Sequence, residues 1–194
     1  MTLAAALRSG ESLGDRVMKV DHAGEQGAVC IYRGQRWIAT LLAPSLAPEL
    51  ALNQAHEERH RAIFAAELTR RGVRRCRSYF LCAVGGLTLG LITGLLGRRA
   101  IAATTVAVER VVLRHLDEQR AALADDPAAI AAIDSIATEE AEHHDASARM
   151  MGPPTMPLRA LMSVVSLSTE AVIDKVDAMW STLGLPGTGK KIWR

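Results

Sequence analysis

The chain has 194 residues, of which 49% are apolar and only 4% aromatic, and its formal net charge is +2. That length suits one domain with a sizeable core, and an apolar content carried by Ala, Leu, Val and Ile favours helices. The near-neutral charge excludes a protein whose global charge draws it to nucleic acid. Cys30, Cys76 and Cys82 form no CxxC pair and are odd in number, which speaks against a disulfide framework and for a reducing compartment. The N-terminal apolar run of five residues in MTLAAALRSG is too short for a signal peptide. A cytoplasmic protein, or one on the cytoplasmic face of a membrane, is expected.

Six helical stretches are predicted. The first runs from Ser12 to Leu42 and stops before Pro44. The second runs from Pro48 to Arg71 and ends at Gly72, a C-terminal signal. An arginine-rich connector follows. The third, Tyr79 to Leu96, carries no charge. The fourth runs from Arg98 to Ala124. Asp126-Pro127 opens the fifth, with Asp as N-cap and Pro as first helical residue, and Gly152 closes it. The sixth runs from Pro157 to Leu183, and residues 185–194 read as a flexible tail. Gly184–Lys191 nearly matches a phosphate-binding loop. However, Lys191 stands in the Ser/Thr place, and neither a strand before it nor a helix after it is possible.

An internal repeat organises these elements. Glu57-x-x-His60 on the second helix recurs as Glu140-x-x-His143 on the fifth, 83 residues later. Glu25 on the first helix recurs as Glu109 on the fourth, 84 residues later. The half-repeats 13–71 and 98–151 are thus two helical hairpins, with 79–97 as an apolar crossover. One long crossover is the ferritin-like topology. The expected fold is a single all-α domain over 1–194: a ferritin-like four-helix bundle with two extra helices.

Residues three apart share a helix face, so each Glu-x-x-His pair can bind one cation. The six residues interrupt apolar stripes. Four carboxylates converging in a core repel one another and lose hydration, and two divalent cations neutralise them. Carboxylate and imidazole donors without thiolate suit iron or manganese, and O₂ chemistry favours iron. Two Fe per chain on Glu25, Glu57, His60, Glu109, Glu140 and His143 are therefore expected. His56, Glu58, Glu139, Glu142, His144 and Asp145 are metal-competent neighbours that the repeat does not select. His56, His144 and Asp145 either orient ligands or sit on an exposed face, and the same alternatives apply to Asp21 and His22. His56-Glu57-x-x-His60 also matches the HExxH of zinc proteases, which leaves the other acids without a role. A non-enzymatic ferritin-like iron-binding protein is the other rival.

The segments DRVMKVDHAGEQGAVCIYRGQ, TTVAVERVVLRH and ATEEAEHHD resemble the demethoxyubiquinone hydroxylase (Coq7/CLK-1) family over residues 13–165. The resemblance implies a carboxylate-bridged di-iron site, with Glu57 and Glu140 bridging, Glu25 and His60 on one iron, and Glu109 and His143 on the other. It further implies hydroxylation of a polyprenyl methoxy-benzoquinol in the penultimate step of ubiquinone synthesis, with O₂ as co-substrate. The resemblance also implies that NADH supplies electrons indirectly, and no GxGxxG follows a strand to form an internal nicotinamide domain. A Coq9-like lipid-binding partner is also implied. The chain departs from the family at Leu116, where a tyrosine is common, and in a longer, more polar C-terminal segment.

Tyr79–Gly97 is uncharged over 19 residues, near the minimum for a bilayer of about 30 Å. Gly86, Gly90 and Gly94 form overlapping GxxxG motifs. Arginines flank both ends, which fits a single crossing poorly. Peripheral membrane association is expected, with arginines reaching lipid phosphates. The glycine face is expected to be open to a partner or a second copy, and a homodimer is anticipated.

Overall fold

A computed structural model describes Leu7 and residues 10–182, with side chains described as far as Ile173. The described residues form α1 (Leu13–Leu42), α2 (Ala47–Arg70), α3 (Tyr79–Leu95), α4 (Arg98–Ala122), α5 (Pro127–Met151) and α6 (Met156–Thr182), with a 3₁₀ turn at Pro44–Leu46 and no strand. α1 and α2 form one hairpin and α4 and α5 the other. The crossover α3 lies along α1, and α6 lies along α4. This is the all-α, ferritin-like bundle with two extra helices. The tail 185–194, the loop-like run at Gly184–Lys191 and the side chains of Asp174, Lys175 and Asp177 lie outside the described residues.

Local chemistry sets the helix ends. Ser12 Oγ accepts from the Asp15 amide at 3.0 Å while Asp15 Oδ2 accepts from the Ser12 amide at 3.2 Å, a reciprocal cap that satisfies two orphan donors. Asp126 Oδ1 accepts from the Ala129 amide at 3.1 Å, just ahead of Pro127. Gly72 and Gly152 follow α2 and α5 with φ of 66° and 63°, a conformation that costs other residues. Arg71 joins three elements at this end, reaching Glu67 at 2.6 Å, Asp126 at 2.7 Å and Asp15 at 3.4 Å.

Two apolar clusters bracket the middle of the bundle. Val17, Met18, Phe64, Leu68, Leu116, Ile133 and Ile136 pack at one end. Tyr32, Leu46, Leu50 and Ile101 pack at the other. Glu25, Glu57, His60 and Glu109 lie between them in sequence on their own helices, and on α5 Glu140 and His143 lie between Ile136 of the first cluster and Met151 of a third. Their carboxylates and imidazoles are therefore held by apolar packing on both sides.

The glycine face of α3 is not open. A Cβ at Gly86 would run into the carbonyl oxygen of Gly27, one at Gly90 into that of Ile31, and one at Gly94 would meet Ile38 Cβ at 2.8 Å. The small-residue stripe lets α3 lie against α1 of its own chain, so the expectation of a glycine face open to a partner is corrected. Gly90→Val should cost about 3 kcal/mol, a fall in Tm of about 6–12 °C. It should also expose buried Cys82 to thiol reagents. An unchanged melting curve would contradict the packing.

What α3 leaves in solvent is its apolar side: Phe80, Leu81, Val84, Ile92 and Leu95. α6 does likewise with Val164, Leu167 and Val172, while Leu161, Met162 and Val165 pack on α4. Among the described residues, only α6 holds a stretch long and apolar enough to cross a membrane, Met156–Ile173; α3 falls short at 17 residues. The sequence singled out α3 and missed α6, because the charges after Ile173 make the C-terminal segment read as polar.

Candidate metal centre

α1, α2, α4 and α5 bring all six predicted residues together, and all six are buried. They fall into two overlapping groups. Atoms of Glu25, Glu57, His60 and Glu140 lie within 4.8 Å of one another, and so do atoms of Glu57, Glu109, Glu140 and His143. Glu57 and Glu140 belong to both groups. His60 Nδ1 stands 2.7 Å from Glu140 Oε1, 3.7 Å from Glu57 and 3.9 Å from Glu25. His143 Nδ1 stands 3.1 Å from Glu57 Oε1 and 3.9 Å from Glu140.

These approaches are close but do not satisfy the donor atoms. Glu57 Oε1, Glu140 Oε2 and the Nδ1 of both His60 and His143 are buried without an aligned hydrogen-bond partner. Orphaned buried polar atoms are costly. Here they converge, and they are hard oxygen and borderline nitrogen donors of the kind iron and manganese take. The donor set fits two divalent cations.

The electrostatics agree. Burial, then the charges of Glu140 and Glu57, push Glu25 and Glu109 well above the carboxylate range. Burial opposes the ionised forms of Glu57 and of both histidines, but their mutual contacts prevail. Glu57 is held low by His143 and His60, while His60 is raised to about 10 by Glu140 and Glu57. His143 is raised by Glu57. Without metal, protons thus supply the positive charge that the four acids demand.

The outer face of each imidazole has its own partner. His60 Nε2 lies 2.9 Å from Glu139 Oε2, and Arg59 holds that carboxylate at 2.8 and 2.9 Å. His143 Nε2 lies 3.0 Å from His56 Nδ1. The residue before each shared Glu therefore reaches across to the histidine of the opposite hairpin. The sequence left His56 open between an orienting place and an exposed face, and left Glu139 among the unselected acids. The signal was available, since His56 and Glu139 are themselves 83 residues apart. His144 and Asp145 pair with each other, at 3.0 Å. Glu58 bonds Gln54 and Glu142 is exposed. His56 joins neither group of convergent donors, so the two histidines of the HExxH pattern do not share a site.

A cavity of about 270 Å³ opens from these acids. Glu25, Glu57, Glu109 and Glu140 line its inner end, and Val20, Ile31, Leu89, Val108 and Val112 line its walls. Leu81 of α3 and Val172 of α6 also line it and are exposed, which sets its mouth between the two apolar helix faces. Leu116, where a tyrosine is common in the family named above, is buried and adds an apolar wall.

Residues 12–175 match the family described as "Ubiquinone biosynthesis protein COQ7". The chain is 38% identical over 132 residues to the Rhodospirillum rubrum protein named 3-demethoxyubiquinol 3-hydroxylase, a match covering 68% of this chain and 62% of that one. It is 37% identical over 136 residues to the Mus musculus protein named NADPH-dependent 3-demethoxyubiquinone 3-hydroxylase, mitochondrial, with the same coverage of 68% and 62%. It is 29% identical over 170 residues to the Caenorhabditis elegans protein of that name, covering 85% of this chain and 90% of the relative. The chain thus spans 62% of the length of the first two relatives.

Proposed function

The chain belongs to the COQ7 family of ubiquinone biosynthesis proteins, and from that footing we propose that it is a di-iron monooxygenase. Its substrate is demethoxyubiquinol, a polyprenyl methoxy-methyl-benzoquinol, hydroxylated at the penultimate step of ubiquinone synthesis. The observation that carries this reading is the double use of Glu57 and Glu140 at the inner end of an apolar cavity. Glu25 and His60 would complete one iron and Glu109 and His143 the other, so that four carboxylates balance two divalent charges. The chemistry such a pair supplies when bound is reduction of O₂ and transfer of one oxygen atom to an electron-rich ring.

The protein's own part is positioning. Glu139, fixed by Arg59, and His56 hold the outer nitrogens of His60 and His143, so both rings keep Nδ1 turned inward. The apolar walls keep water from the ring. Electrons come indirectly from a nicotinamide nucleotide: NADH is the expectation from the family resemblance, while the mouse and nematode relatives are named for NADPH.

The protein sits peripherally on the cytoplasmic face of the cell membrane. Support comes from the exposed apolar sides of α3 and α6 beside the cavity mouth, where a bilayer-borne isoprenoid tail would enter. Both helices lie along the bundle, which suits a dip into one leaflet better than a crossing. A homodimer and a Coq9-like lipid-binding partner belong to the same proposal.

Complementation of a strain blocked at the demethoxy step, followed by mass analysis of its quinones, tests the reaction. Restored ubiquinone is expected. Persistent demethoxyubiquinone despite good expression would sink it.

A further inference from the structure

Two polar side chains in the cavity have no part in the metal centre. Asp21 stands one helical turn before Glu25, and Gln119 faces it from α4; both line the cavity. Gln119 Nε2 donates to Asp21 Oδ1 at 2.8 Å. Asp21 Oδ2 and Gln119 Oε1 are then left buried with no hydrogen-bond partner. The other polar residues of the wall are already engaged. His115 meets Glu170 at 3.3 Å, and Ser168 and Thr169 bond the Val165 carbonyl of their own helix.

The unpartnered pair is chemically one-sided. Gln119 has committed an amide hydrogen to Asp21, so its Oε1 can only accept; burial pushes the Asp21 carboxyl up to about 7, and above that pH its Oδ2 can only accept too. Orphaned acceptors are satisfied by a ligand that brings O–H groups. Four residues of helix rise about 6 Å, a step one aromatic ring can span between Asp21 and the acids at Glu25.

We propose that Asp21 and Gln119 are a positioning pair that accepts the hydrogen of a ring hydroxyl and selects the reduced quinol over the quinone. This rests on the quinol reading above and adds what that reading lacks, a basis for choosing the oxidation state. Relatives are named for both the quinol and the quinone. A quinone carbonyl offers no hydrogen and leaves both acceptors unsatisfied.

The test uses the chain loaded anaerobically with Mn(II). A short-tailed methoxy-methyl-benzoquinol and its quinone are titrated separately by calorimetry at a pH of about 8.5, where Asp21 is ionised. The wild type should bind the quinol about tenfold more tightly, the worth of one net hydrogen bond. Gln119→Met should weaken the quinol about tenfold and leave the quinone unchanged, with metal content intact. Asp21→Asn keeps an oxygen for Gln119 but turns the second atom into a donor, so the preference should swing toward the quinone. A merely structural role would shift both ligands together. Equal wild-type affinities, or variants that leave the quinol unaffected, would overturn the inference while the quinol reading stands. A metal-loaded wild type that binds neither ring would overturn both.

Discussion

Glu140→Ala is expected to abolish binding of both irons, whereas Glu25→Ala or Glu109→Ala should lose one and keep the other. The asymmetry follows from membership of the two donor groups. Glu140 and Glu57 stand in both, Glu25 in one and Glu109 in the other. Removing one charged partner from a buried set costs about 3–5 kcal/mol, or about 10²–10⁴-fold in affinity. At Glu140 that loss falls on both ions at once and leaves His60 without its 2.7 Å neighbour. Glu142→Ala, on the exposed side of the same helix, should keep two irons. Iron per chain, measured after anaerobic loading and desalting, reads all four variants. A Glu140→Ala protein holding two irons with full hydroxylase activity would refute the shared-carboxylate arrangement.

Loading the metal-free protein with two divalent cations at pH 7 should release about three to four protons. Glu25 and Glu109 are held above the carboxylate range by burial and by their acidic neighbours. His60 is raised to about 10 and His143 is raised as well. Each must lose its proton before binding a metal, and four protons carry the charge of two divalent ions. Calorimetry in buffers of different ionisation enthalpy counts them directly.

The same shifts set the sign of the pH dependence. A group whose folded pKa is raised binds protons more readily in the native state, so its stabilisation is lost as pH rises through that pKa. For His60 the loss begins near its ordinary value of 6.5 and is complete above about 10. The raised acids Glu25 and Glu109 act in the same direction. Metal-free protein should therefore lose Tm between pH 6.5 and 10, and metal-bound protein should not. Glu57, held low, acts only on the acid side, below 4.5. Release of fewer than about one proton, or a metal-free Tm that rises with pH, would contradict these protonation states.

The fold and the six convergent residues were legible because hydrophobic period, caps and an internal repeat all point one way. Helix ends such as Ser12, Asp126-Pro127 and Gly152 carry their own chemistry. The 83-residue offset separates Glu140 from Glu139 without any coordinates. What escaped lies between elements rather than along them. Nothing on α2 alone says that Glu139 of α5 faces His60. Likewise, a GxxxG stripe shows that something approaches closely but not what. The partner was the chain's own α1, whose Gly27 and Gly34 meet the stripe. The cavity pair escaped for the same reason, since Asp21 and Gln119 are 98 residues apart. Leu116 is legible as a departure, but only the packing shows what it leaves: an apolar wall where the family often has a hydroxyl.

The most direct test of the two-metal centre is anomalous diffraction at the iron edge from crystals of the chain loaded anaerobically with Fe(II). Two peaks are predicted, one among Glu25, Glu57, His60 and Glu140 and the other among Glu57, Glu109, Glu140 and His143. A single peak, or a peak bound by His56 and His60 together, would contradict it.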